Sequence, residues 1–213
     1  MDVMDVYEGL LGRFERQEWW PRRHFFHPRE LEICVGAILT QNTNWKNVEK
    51  ALENLSEKKL TSPESILKAE SKKLEEAVRP SGFYRQKAER LKLFAGFVTG
   101  LGGFDSFAEK VTREQLLNVK GLGPETVDSI LLYALGRPVF VIDAYTKRIF
   151  KRLGFMTFNS YEDWRNFFER NVPKDRYVYM EYHALLVELA KKFCKTKPLC
   201  SDCPLNDICQ KKL

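Results

Sequence analysis

Four cysteines crowd one end of the chain. Cys194, Cys200, Cys203 and Cys209 follow the spacing C-x5-C-x2-C-x5-C. Four thiolates so close can hold one metal centre, either zinc or an iron–sulfur cluster. Two disulfides are disfavoured, because the start MDVMDVYEGL lacks the basic-then-apolar order of a signal peptide and a reducing compartment is expected. The fifth cysteine, Cys34, lies alone in an apolar segment and reads as core. A second candidate is Asp143, which follows the apolar run Val139-Phe140-Val141-Ile142 and precedes a helical stretch. An Asp there suits a helix N-cap. A carboxylate there could also face positive charge developing on a substrate. A third is Lys120-Gly121-Leu122-Gly123, set between two helical stretches, the second starting at Pro124 or Glu125. Its glycines permit a sharp turn and leave bare N–H groups at a helix N-terminus, where an anion such as phosphate is favoured. An ordinary helical hairpin would share these local features.

The elements that must position these residues are helices. Val48, Ala51, Leu52 and Leu55 recur at i, i+3, i+4 and i+7, as do Ala88, Leu91, Ala95 and Val98. Val127, Ile130, Leu131 and Ala134 repeat the pattern, and so do Leu185, Leu186, Leu189, Ala190 and Phe193. Ser62 before Pro63, and Thr112 before Arg113, mark helix starts. Val139–Ile142 is the one strand-like run and has no partner strand. The fold class is therefore all-α. With 44% hydrophobic and 30% charged residues the chain is globular, and no uncharged run approaches the ~18 apolar residues that span a bilayer. The expected location is cytoplasmic. A net charge of +6 leans toward a polyanionic partner.

Leu117 to Val127, with the sequence Leu-Asn-Val-Lys-Gly-Leu-Gly-Pro-Glu-Thr-Val, resembles the helix-hairpin-helix of the DNA glycosylase superfamily that includes endonuclease III. Gly136-Arg137-Pro138 and then Asp143 follow in the family's order, and the four cysteines resemble its cluster loop, with a first gap one residue shorter than usual. The resemblance runs from about Leu31 to Cys209. It implies a two-lobed all-α fold. One lobe would span residues 29–135 and hold the hairpin. The other would join residues 1–28 to 136–213 and carry Asp143 and the cluster loop. It further implies double-stranded DNA with a damaged base as partner, a monomer acting on the chromosome, and a [4Fe–4S] cluster on Cys194, Cys200, Cys203 and Cys209.

By the same resemblance Asp143 is the catalytic acid. Gln41 fills the gap left by an everted nucleotide, and Lys120, Gly121, Gly123 and Thr126 contact the DNA backbone. Trp45, Trp19 and Trp20 supply the base pocket, where aromatic faces stack on a flipped base. Bifunctional relatives carry a nucleophilic lysine where this chain has Glu125, and a carboxylate forms no Schiff base. Lys147, one turn past Asp143, is the remaining candidate for such a lysine. Arg79 to Ala88, Glu125 and Asp143-Ala144-Tyr145 resemble the endonuclease III-like 3-methyladenine glycosylases, and Arg79, Arg85 and Lys87 could line a phosphate path. The expected activity is monofunctional hydrolytic release of an alkylated base. Alternatives are a mismatch or uracil/thymine glycosylase, a bifunctional glycosylase/lyase of the endonuclease III type, and a non-catalytic DNA-binding iron–sulfur module.

Overall fold

The structure is a computed structural model that describes residues 2–17 and 24–211. Its elements in chain order are α1 (Val3–Phe14), α2 (Arg29–Leu39), α3 (Trp45–Glu57), α4 (Pro63–Lys68), α5 (Ser71–Val78), a 3₁₀ turn (Arg79–Ser81) and α6 (Tyr84–Gly100). Then follow α7 (Phe104–Lys110), α8 (Arg113–Leu117), α9 (Pro124–Ser129), a π-helical stretch (Ile130–Ala134), α10 (Ala144–Leu153), α11 (Tyr161–Asn171) and α12 (Arg176–Lys192). No strand occurs among the described residues. The chain divides into two compact units: Pro21–Gly136, and Met1–Trp20 together with Arg137–Leu213.

The Pro21–Gly136 unit is built on α6, which packs against α2, α4, α5 and α7. Its buried positions Ala88, Leu91, Phe94, Ala95 and Val98 keep the helical period. The helix starts are locally encoded. Ser62 accepts from the Ser65 amide with Pro63 in the first turn, and Thr112 accepts from the Gln115 amide. Asn44 caps α3 by accepting from the Asn47 amide at 3.1 Å. The period over Val127–Ala134 suggested one continuous α-helix. The structure instead widens into a π turn at Ile130, and that stretch packs on α2.

In the other unit α12 is the central helix, with α1 and α10 packed against it. Val3, Val6 and Leu10 give α1 its buried stripe. Phe140 stacks on Phe168 at 4.3 Å, and Tyr179, Tyr182 and Phe150 close around them. The run Phe140–Ile142 is extended and buried, yet joins no sheet. Side chains of α11 satisfy its backbone: Phe140 N–H donates to Glu169, and Ile142 N–H donates to the Tyr161 hydroxyl. The strand-like composition therefore reflects burial of a connector.

One buried charge ties the first of these units together. Lys87 on α6 is fully inaccessible, and its Nζ donates to the Leu39 carbonyl at 2.9 Å and the Ser81 carbonyl at 2.5 Å. It joins the ends of α2 and the 3₁₀ turn to α6. Burial, with Arg90 nearby, lowers its amine to about 8. The folded state thus sheds this proton before the unfolded chain does, whose lysine titrates near 10.5. Between those values unfolding takes up a proton, so this group adds stability as pH rises. The stability difference between wild type and Lys87→Met should therefore widen by about 3 kcal/mol across that window. Urea midpoints measured at several pH values check this, and a difference that stays flat with pH would refute it.

Candidate DNA-contact and catalytic residues

Asp143 arrives at the end of the buried run 140–142 and caps α10. Its Oδ1 accepts from the Thr146 amide at 2.7 Å. Its Oδ2 lies 3.6 Å from Nε2 of His183, which projects from α12. The residue is 9% exposed. Burial pushes its carboxyl up, but the His183 imidazole and the Thr146 amide push it down further, and it ends below the usual carboxylate value. A carboxylate kept charged where little water reaches it is suited to facing positive charge. The cap and the charged acid are thus one side chain in one pose. His183 escaped sequence reading, since nothing local links it to a residue 40 positions away.

The hairpin lies in the other unit. Gly121 has φ +91, and a Cβ there would meet Arg90 Cγ at 2.6 Å, so both the backbone and the close approach require glycine. The Leu122 amide donates to Val119, and Val127 donates to Gly123. Among the described residues the Gly121 and Gly123 amides donate to no protein group. Below the turn, Arg113 Nε and Nη2 donate to the fully buried Asp128 at 2.6 and 3.1 Å, joining α8 to α9.

Gln41 is drawn onto this hairpin. Its Nε2 donates to the Gly121 carbonyl at 3.1 Å and the Thr126 hydroxyl at 2.9 Å, while its Oε1 accepts from Arg90. Gln41, Gly121 and Thr126 are therefore brought together, and Arg90 is a fourth member that sequence reading missed. Lys120 is exposed and pairs with Glu89 at 3.2 Å, an interaction weak enough to yield to phosphate. Glu125 is exposed in the first turn of α9. Lys147 lies over the Tyr161 ring.

Trp45 is half-buried, its ring 3.2 Å from where a Gly36 Cβ would stand. Trp19 and Trp20 lie outside the described residues. Lys87 does not line a phosphate path, because its ammonium points inward to two carbonyls. Arg79 and Arg85 are grouped on the Tyr84 ring at 5.4 and 5.9 Å. Beside them Phe83 is 61% exposed in a left-handed conformation, φ 46. An exposed aromatic ring held by strained backbone among arginines is a DNA-contact candidate. Its sequence signal was an apolar residue after Gly82, where a polar N-cap would be expected.

The four C-terminal cysteines form no disulfide. All four line one concavity, together with Arg152, Phe193 and Asn206. Arg152 donates to Cys194 Sγ at 3.4 Å, the Lys211 amide donates to Cys209 Sγ at 3.4 Å, and the Cys209 thiol donates to the Arg152 carbonyl at 3.3 Å. Among the described residues no group of three or more His, Cys, Asp or Glu is gathered for a single metal ion. A lone zinc would need its sulfurs about 3.8 Å apart, from a Zn–S bond of about 2.3 Å in a tetrahedron. Four thiols lining one concavity are the kind of donor set that a four-cysteine centre uses.

Among the described residues no helix is long and apolar enough to cross a membrane. Residues 35–174 match the family model of the HhH-GPD superfamily base excision DNA repair protein. A Methanocaldococcus jannaschii protein, named provisionally as a DNA repair glycosylase, is 45% identical over 99% of this chain and 96% of its own length. Endonuclease III of Thermotoga maritima is 28% identical over 90% of this chain and 87% of its own. The solved structure of the H. pylori 3-methyladenine DNA glycosylase bound to 1,N6-ethenoadenine has a TM-score of 0.78 and 32% identity. It covers 90% of this chain and 98% of that one. With its hairpin, its capped acid and its helical fold, the chain belongs to the HhH-GPD superfamily of base excision DNA repair proteins.

Proposed function

We propose that this protein is a monofunctional DNA glycosylase that removes an alkylated, 3-methyladenine-type base from double-stranded DNA by hydrolysis. It would work as a monomer on chromosomal DNA in the cytoplasm. The observation that carries the reading is Asp143, a buried carboxylate held in its charged form. As the N-glycosidic bond breaks, its electron pair leaves with the base and the sugar becomes cationic. The Asp143 carboxylate stabilises that cation and orients the water whose oxygen forms the new bond to the anomeric carbon. The proton of that water passes to solvent or to the departing base. Glu125 offers no amine for a Schiff base, which supports hydrolysis without strand cleavage. An alkylated base carries positive charge, and an aromatic wall such as Trp45 favours it by cation–π attraction. Similarity to the 3-methyladenine enzyme supports this substrate class.

On the DNA side, the open amides of Gly121 and Gly123 and the charge of Lys120 suit backbone phosphate. The Phe83 ring suits insertion between base pairs, which unstacks the duplex as the target turns out. Gln41 would leave its hairpin partners to bond the orphaned base. Cys194, Cys200, Cys203 and Cys209 would hold the [4Fe–4S] cluster, which would stabilise a segment with little regular structure of its own.

Base release should be measured on duplexes carrying alkylated, oxidised, deaminated or mismatched bases. Alkylated purines should react fastest, and Asp143→Asn should slow release by the equivalent of ~3–5 kcal/mol while DNA binding persists. Borohydride should trap no enzyme–DNA adduct, and a trapped adduct would mean that a lysine such as Lys147 is the nucleophile and would overturn the monofunctional reading. Gly121→Ala strains the turn and pushes Arg90 off Gln41. It should weaken DNA binding by about tenfold and lower the salt dependence of binding, as lost phosphate contacts do. Unchanged affinity would remove the hairpin from the interface. Purified protein should be brown, with broad absorbance near ~400 nm and about four irons per chain. Colourless protein with one zinc per chain would overturn the cluster.

A further inference from the structure

His183 lowers the Asp143 carboxyl, yet no step of the reaction above has been assigned to it. It sits midway along α12, on a face otherwise filled by Tyr179, Tyr182, Leu186 and Val187, and its side chain is 8% exposed. An apolar residue is the default for such a position, and an imidazole there is costly unless it acts on something. Asp143 is 3.6 Å away. The helix cap does not explain that approach. The cap is complete with Oδ1, which accepts the Thr146 amide at 2.7 Å, whereas His183 faces the other oxygen, Oδ2.

The neighbouring charged groups are directed elsewhere. On α10, Lys147 lies over Tyr161, and Arg148 stacks on Tyr145 and donates to the Cys194 carbonyl. Arg152 holds the carbonyls of Lys195 and Thr196. On α1, Asp5 accepts the Asp2 amide and Tyr7 packs edge-on to Tyr182. On α12 itself, Glu181 accepts the Gln17 amide, Glu188 pairs with Lys192, and the Tyr182 hydroxyl donates to Val3. Tyr179 is raised to about 12 by burial and stays neutral. The Asp143 carboxylate lies 3.6 Å from His183 Nε2.

We propose that His183 is the positioning residue of Asp143, fixing the orientation of its carboxylate and preserving its charge when bound DNA excludes water. This rests on the reading of Asp143 as the reacting carboxylate. At 3.6 Å the pair is wider than a hydrogen bond, so it acts through space and has room to close. Covering the site with DNA desolvates Asp143 further and favours its neutral, inactive form. His183 opposes that drift. Without it, burial is countered by Thr146 alone, through its amide and its side chain, and the carboxyl titrates at higher pH.

The test is single-turnover base release from a duplex carrying one alkylated purine, followed against pH for wild type, His183→Ala, His183→Gln and Asp143→Asn. Removing the imidazole should slow release by about 10- to 100-fold near about pH 6 and less near about pH 8, with the acid limb moved to higher pH. Glutamine keeps an N–H donor of similar reach but lacks the imidazole ring. It should restore most of the rate on the alkaline side but leave the acid limb displaced. The ¹³C shift of the Asp143 carboxyl, followed against pH in the DNA-free protein, reads the same change without activity. Its midpoint should rise in both His183 variants. If the limb and that midpoint stay where wild type has them, the inference fails, whatever the rate. If both variants lose activity equally at every pH and also lose thermal stability, His183 is packing and the inference fails. If Asp143→Asn retains wild-type release, the catalytic reading fails. The carboxyl midpoint would then still report whether His183 controls the charge of Asp143.

Discussion

The constraint on which the candidate chemistry depends is that Asp143 must stay ionised while nearly out of contact with water. Desolvation alone would neutralise it, and a neutral acid has nothing to offer a cationic sugar. The opposing contributions of His183 and Thr146 win, and they come from two different levels of structure. The Thr146 amide is supplied by α10 itself, as at any capped helix start. The imidazole of His183 is supplied by α12, and so exists only once that helix has packed. The aromatic cluster around Phe140, Phe168 and Tyr182 holds α11 and α12 beside the run 140–142, so it fixes where Asp143 emerges.

A different constraint governs the hairpin. Gly121 must turn left-handed with Arg90 against it, and the Arg113–Asp128 pair fixes the two short helices below. Helices of five and six residues are not stable alone, so tertiary contacts must hold them. Arg90 does two things here: it fills the space a side chain at 121 would take, and it orients the Gln41 amide. The Gln41 loop and the Gly121 turn therefore share partners. Lys87 anchors the same loop from beneath, through the Leu39 carbonyl.

The cysteine segment obeys a third logic. Among its described residues it has no regular helix after Lys192, and Leu199 and Ile208 remain exposed while Leu205 is buried. Its order comes from polar clamps on backbone carbonyls, chiefly Arg148 and Arg152, and from the convergence of its four thiols on one concavity. The proposed cluster would add stability that so small a core does not supply.

The sequence by itself determined the features with short-range causes. Helical period, the Ser62, Thr112 and Asp143 caps, the glycine turn at 121 and the cysteine spacing each depend on residues within a few positions of one another. The resemblance to a glycosylase family rests on the same local motifs, in order. The run at 139–142 reads as strand-like without a partner and joins no sheet, but composition reports its burial and not the α11 side chains that supply its hydrogen bonds, nor the π turn at Ile130. Only the tertiary structure decided that His183 faces Asp143, that Arg90 holds Gln41 and that Lys87 turns inward. Those pairs stand about 40 to 50 positions apart on separate helices, and no spacing rule connects them. They arise when packed helices bring buried polar groups to distances at which each must find a partner or lose its charge.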